Sequence, residues 1–137
     1  NRLRFIVKAY KWVHPYNEQD KPAIKSSWKK SGVYIIKQKG KIVYVGRSSY
    51  NLYKTMYRHF QAWDSAQTRA TYNAKGNKRK DIKVRVIYCT PNQALDQEIN
   101  LTKKHNPRDM KYKYKEEKIS SKAEKSYKDT DFSDVPF

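Results

Sequence analysis

The chain has 137 residues, with 31 Lys and Arg against 13 Asp and Glu and a formal net charge of +18. That length suits one domain with a real core and leaves little room for two. The charge points to an acidic partner, of which nucleic acid is the commonest. A mean hydropathy of −1.09 resembles that of a disordered chain, but 14% aromatic residues, twelve of them tyrosine, supply apolar area that the index undercounts. No apolar run approaches the roughly 18 residues of a membrane span, and no signal peptide is visible in the opening residues. The single cysteine, Cys89, excludes an intrachain disulfide framework and a cysteine-ligated zinc site, and fits a reducing, cytoplasmic setting.

Residues 1–31 read as an ordered extension, a strand plus loop, whose aromatics Tyr10, Trp12 and Trp28 pack on the main body. Residues 32–110 carry the strongest patterns. Gly32 to Lys39 is a β-branched and aromatic run, Lys39-Gly40 a tight turn, and Lys41 to Gly46 the returning strand of a hairpin. Asn51 is placed to cap a helix whose apolar face is Leu52, Met56, His59, Phe60 and Trp63. Residues 73–80 read as a cationic loop. Ile82, Val84, Val86 and Tyr88 alternate with Lys83, Arg85 and Ile87 as in a half-buried strand. Pro91-Asn92 opens a second helix, which Asn106-Pro107 ends. The order is β-β-α-β-α. The tail, 111–137, holds seven Lys and six acidic residues, a nearly neutral composition typical of partly flexible chain, with Phe132, Val135 and Phe137 available for docking.

Gly32-Val33-Tyr34, then nine residues, then Tyr44-Val45-Gly46, resembles the signature of the GIY-YIG nucleases. Further matches follow in order: Ser48, the apolar anchor Leu52, His59-Phe60 seven residues past it, Ala94-Leu95 before Glu98, and Pro107 nine residues after Glu98. The resemblance covers about residues 31–110 and is to compact, single-domain, phage- or mobile-element-type endonucleases. It implies an α+β fold, a small three-stranded antiparallel sheet flanked by helices, and hydrolysis of DNA phosphodiesters with one divalent cation, Mg²⁺ or Mn²⁺. Carried onto this chain, it makes Tyr34 and Tyr44 the pair that helps activate water, His59 a proton acceptor or relay, and Glu98 the metal ligand.

These residue types suit the chemistry. A phenol, with pKa near 10, becomes a useful base only where cations lower that value. With the turn at 39–40 the two tyrosines are close to cross-strand partners on one face of the sheet, and the site requires them to share that face with His59 and Glu98. One glutamate suffices for Mg²⁺, which keeps several waters and takes phosphate oxygens directly.

Two positions depart from the family pattern. The arginine slot, four residues before His59, holds Thr55, or Lys54 if the preceding loop is read without an insertion; the asparagine slot after Pro107 holds Met110. Arg58, Arg47 and Lys54 are the candidate replacements for the missing cation. DNA contacts are assigned to Lys54, to Lys75, Lys78, Arg79 and Lys80, and to Lys103, Lys104 and Arg108, with Lys111, Lys113 and Lys115 continuing that last run beside Tyr112 and Tyr114. His14 and His105 read as ordinary structural histidines. The leading reading is a Mg²⁺-dependent DNA endonuclease of low or short-range sequence specificity. The alternatives are a DNA-binding protein on a catalytically weakened nuclease fold, favoured by Thr55 and Met110, and an RNA-binding basic protein, supported by charge and tyrosines alone.

Overall fold

The computed structural model describes residues 8–9, 11–61 and 69–113. The expectations for Tyr10, Trp63 and the tail beyond Lys113 lie outside these residues. Four strands, β1 (Lys8–Ala9), β2 (Gly32–Gln38), β3 (Lys41–Ser48) and β4 (Ile82–Tyr88), form one antiparallel sheet in the order β1-β4-β2-β3. The expected three-stranded sheet is thus its body, and the two-residue β1 extends one edge against Ile87 and Tyr88. Helices α1 (Leu52–Tyr57) and α2 (Pro91–His105) flank it.

The β2–β3 turn has positive φ at both Lys39 (49°) and Gly40 (82°), the condition for the turn whose twist matches a hairpin. Pairing starts as Gln38–Lys41 and Lys37–Ile42, then jumps to Ile36–Tyr44, Ile35–Val45 and Tyr34–Gly46. Val43 is the extra residue of a β-bulge. Without it Tyr44 would pair with Ile35 and point away from Tyr34, because a one-residue slip exchanges the faces of a strand. The bulge puts both tyrosines on the same face, as diagonal rather than direct partners.

Central strand β2 is buried on both faces from Gly32 to Ile36. On one face Tyr34, Ile36, Val43, Tyr44, Ile82, Val84 and Val86 pack with Leu52, Met56 and Tyr57 of α1 and with Phe60. On the other, Val33, Ile35, Val45 and Ile87 pack with Cys89 and with Ala94 of α2. The extension joins both layers. Tyr16 and Ile24 lie in the first cluster, Trp12 against the second, and Val13 bridges Val84.

Helix α1 is shorter than the apolar pattern predicts. Asn51 caps it, its side chain accepting from the Lys54 N–H, but after Tyr57 the chain tightens into a 3-10 turn over Arg58–Phe60. With about three residues per turn there, the regular α-helical run expected through His59 and Phe60 ends at Tyr57. Another 3-10 turn, Gly76–Asp81, occupies the segment expected to be loop. Helix α2 starts with a Thr90–Gln93 capping box and Pro91 in its first turn, and stops at Asn106 in the left-handed region.

Candidate active site

Three of the expected residues meet. The Tyr34 Oη and His59 Nε2 are 2.8 Å apart, and His59 Nδ1 lies 2.8 Å from the Ala70 carbonyl. A carbonyl only accepts, so Nδ1 carries the ring proton, Nε2 is the acceptor, and the Tyr34 hydroxyl donates to it. Tyr44 stacks on Tyr34 with ring centroids 6.1 Å apart and lies 4.4 Å from the His59 ring. Exposure of Tyr34, Tyr44 and His59 is 2%, 2% and 1%. Burial pushes the His59 pKa down to about 3, with the charges of Arg69 and Arg58 adding to the shift and the Ala70 hydrogen bond opposing it. His59 is therefore a neutral acceptor that holds the Tyr34 hydroxyl in place.

Gly46 belongs to the same constellation. A Cβ there would sit 2.3 Å from both Cζ and Oη of Tyr34, so the phenol crosses β3 only where the strand has no side chain.

Arg69 and Tyr72 were not singled out in the sequence. The backbone brings them in, since the Tyr72 N–H donates to the His59 carbonyl at 2.7 Å while Ala70 accepts from its ring. Arg69 is buried beside His59. The intervening chain carries no periodic pattern, so nothing in the sequence places this arginine at the site. Of the three cations proposed to replace the family arginine, Arg58 lies at this histidine. Lys54 is half-buried on the first turn of α1, and Thr55 donates its hydroxyl to the Asn51 carbonyl.

Glu98 and Arg47 are elsewhere. Arg47 pairs across the sheet with Val33, whose face is covered by α2, and Glu98 reaches it from α2, with Oε1 3.3 Å from Arg47 Nε. Tyr34 and Tyr44 point to the α1 face. The expected sharing of one face by all four residues is thus corrected: edge strand β3 stands between Glu98 and the tyrosines, because Glu98 is in step with Ala94 on the inward side of α2.

The segment after α2 bridges the two sides along the free edge of β3. The Asp109 N–H donates to the Val43 carbonyl at 2.8 Å, and Lys113 Nζ to the Val45 carbonyl at 3.4 Å. Tyr72 donates to Asp109, while Met110 and Tyr112 pack on the tyrosine-side cluster. Lys113, expected to face phosphate, is instead ion-paired with Glu98 Oε2.

A divalent ion on Glu98 needs a carboxylate oxygen, and here one oxygen is on Arg47 and the other on Lys113. Among the described residues, no cluster of three His, Cys, Asp or Glu offers an alternative. As folded, the donor set does not fit a metal.

The other basic residues gather toward one end. Lys39 donates its N–H to the Asp81 carbonyl, which brings the hairpin turn against the Gly76–Asp81 segment with exposed Lys78 and Lys80. Helix α2 runs back along the sheet and delivers exposed Lys103 and Lys104, then Arg108, whose Nη2 reaches Gln38. Not all are available to a ligand. Arg108 also holds Asp109 through two 2.9 Å hydrogen bonds, Lys75 lies over the Tyr16 ring, and Arg79 is 3.9 Å from Glu18. His14 bonds the Ile82 carbonyl, an ordinary structural role.

A thin antiparallel sheet between helices, with a tyrosine pair and a histidine on one face, makes an α+β domain. The chain belongs to the GIY-YIG family: the model of the GIY-YIG catalytic domain matches residues 30–115. A search of curated proteins finds no match. No helix among the described residues is long and apolar enough to cross a membrane.

Proposed function

We propose that this protein is an endonuclease that hydrolyses DNA phosphodiester bonds with low or short-range sequence specificity. The observation that carries this reading is the Tyr34–His59 pair, stacked on Tyr44, inside a matched catalytic domain. Because the Tyr34 proton is committed to His59, its oxygen presents lone pairs alone to an approaching water and orients it for attack on phosphorus. Water adds to phosphorus, the bond to one ester oxygen breaks, a proton from the water ends through solvent on the departing oxygen, and the cut strand is left with a phosphate at one new end and a hydroxyl at the other. Arg69 and Arg58 supply positive charge for the phosphorane, the role the family gives to an arginine where this chain has Thr55. Their fixed charge lowers the energy of an oxyanion more than that of the less charged ground state. His59 acts as a positioning residue, since a buried imidazole with a pKa of about 3 is a poor store for a proton at neutral pH. Tyr34 and Tyr44 are 2% exposed, so substrate reaches the phenols only on local opening of the packing around them. Lys78, Lys80, Lys103 and Lys104 contact the DNA backbone at the hairpin-turn end. The resemblance brings Mg²⁺ or Mn²⁺ with it; no step is routed through a metal here, because both Glu98 oxygens are engaged.

The engagement of Glu98 also favours a second reading, a protein that grips DNA on this fold without cutting it. Relaxation of supercoiled plasmid separates the two when followed with Mg²⁺, with Mn²⁺ and with chelator. An endonuclease nicks the plasmid, and Tyr34→Phe slows nicking by about 10²-fold, the scale of a lost catalytic contact, while the variant stays folded and binds DNA as before. Retarded plasmid bands with no nicking under any of the three conditions would establish the second reading instead.

A further inference from the structure

The ion pair at Glu98 has a chemical consequence that the family signature does not contain. Glu98 is 6% exposed, and a carboxylate so placed needs positive charge close by. It has two partners. Arg47 comes from β3 and is fixed by the sheet register. Lys113 comes from the segment after α2, and its Nζ also donates to the Val45 carbonyl. That carbonyl lies on the free edge of β3, so the ammonium is held by two oxygens from two elements, and its own side chain is largely buried. A small hard cation bound at Glu98 would need this same carboxylate oxygen at about 2.0–2.1 Å, and would stand within a few ångströms of the ammonium.

We propose that Lys113 occupies the place of a divalent cation at Glu98, so that the lysine and a metal ion exclude one another. The chain supplies the charge at this carboxylate from its own sequence. With both ion pairs in place Glu98 is a weak metal ligand, and it becomes a competent one only when Lys113 leaves. The proposal rests on the ion pair and not on DNA cleavage, so a failure of the nuclease reading leaves it standing.

Mn²⁺ is the probe, and the loss of the free-ion electron paramagnetic resonance signal on titration of the full chain is the readout. Wild type is expected to bind Mn²⁺ no tighter than the millimolar range. Lys113→Met should tighten binding by about 10²-fold or more with one ion per chain, Lys113→Arg should behave as wild type, and adding Glu98→Gln to Lys113→Met should abolish the gain. Micromolar binding by wild type that Glu98→Gln removes would overturn the proposal, as would a folded Lys113→Met with no gain. Should Lys113→Met fail to fold, the wild-type protein still decides. On titration with Mg²⁺, any shift of the Glu98 carboxyl carbon-13 resonance should be matched by loss of the Lys113 ammonium nitrogen-15 signal of the ion pair, and a saturable Glu98 shift with the ammonium signal unmoved would refute the exclusion.

Discussion

Replacing Gly46 by alanine tests the tyrosine site at its tightest point. The new Cβ would lie 2.3 Å from Tyr34 Cζ and Oη and 2.8 Å from Cε1, where carbon contacts normally fall at about 3.5–4.0 Å. The ring must withdraw by more than about 1 Å. An exposed tyrosine would swing aside at little cost, but this one is buried, stacked on Tyr44 and hydrogen-bonded to His59 at 2.8 Å. Withdrawal breaks that bond and leaves a buried imidazole nitrogen without its donor, a loss of about 1–3 kcal/mol. Overpacking adds about 1–3 kcal/mol, and the lower unfolded-chain entropy of alanine returns about 0.5 kcal/mol. The expected destabilisation is about 2–5 kcal/mol, or a melting temperature lower by roughly 10 °C for a chain of this size. Urea unfolding followed by tryptophan fluorescence measures it. The same substitution in a Tyr34→Leu background, where the side chain ends short of the clash, should cost less than about 0.5 kcal/mol. A single variant within about 0.5 kcal/mol of wild type, or an equal cost in both backgrounds, would refute the placement of Tyr34 across β3.

Two further outcomes follow from charge. His59 has a folded pKa of about 3 against about 6.5 in the unfolded chain, so between those values the unfolded state binds more protons and stability falls as pH falls. From pH 6 to pH 4 the loss from this residue is about 2.5 kcal/mol, and His59→Gln should show a dependence shallower by that amount in denaturant titrations at the two pH values; identical dependences would contradict a buried neutral imidazole. DNA binding by the +18 chain should weaken steeply with salt. If about six phosphates are neutralised, log K against log salt has a slope near −5, and a slope near zero from filter binding at several salt concentrations would mean that the excess charge serves something other than DNA.

The sheet body, the hairpin turn, the Asn51 cap, the limits of the second helix and the meeting of Tyr34, Tyr44 and His59 were legible in the sequence, because each rests on local pattern or on a motif with fixed spacing. What was not legible depended on register or on chain returning from a distance. The bulge at Val43 has no signature of its own, yet it decides that the tyrosines are diagonal neighbours. The tightening of the chain at Arg58 ends the α-helical run that the apolar spacing through His59 and Phe60 predicts. The approach of Arg69 follows from backbone bonds between His59 and residues 70–72, which no propensity predicts. Lys113 read as one more cation in a basic run, and its pairing with Glu98 required the segment after α2 to lie along the edge of β3.

The residues that make the motif recognisable are to a large extent those the packing demands. Gly46 must lack a side chain because Tyr34 crosses it. Gly32 must lack one because a Cβ there would fall 2.2 Å from the Ile87 carbonyl oxygen. Tyr34 and Tyr44 fill the core of one face, and His59 satisfies the Tyr34 hydroxyl and the Ala70 carbonyl together. Each would remain favourable in a chain that had lost the ability to cut, because changing it costs stability before it costs catalysis. On the proposed nuclease reading, the groups that would decide the chemistry lie outside the two triplets: what neutralises Glu98, and which arginine stands near His59. Here both come from segments joined to the motif by the fold alone, Lys113 from beyond the second helix and Arg69 from the chain before Tyr72. On that reading, activity would be set by the cations at Glu98 and at His59 more than by the completeness of the signature.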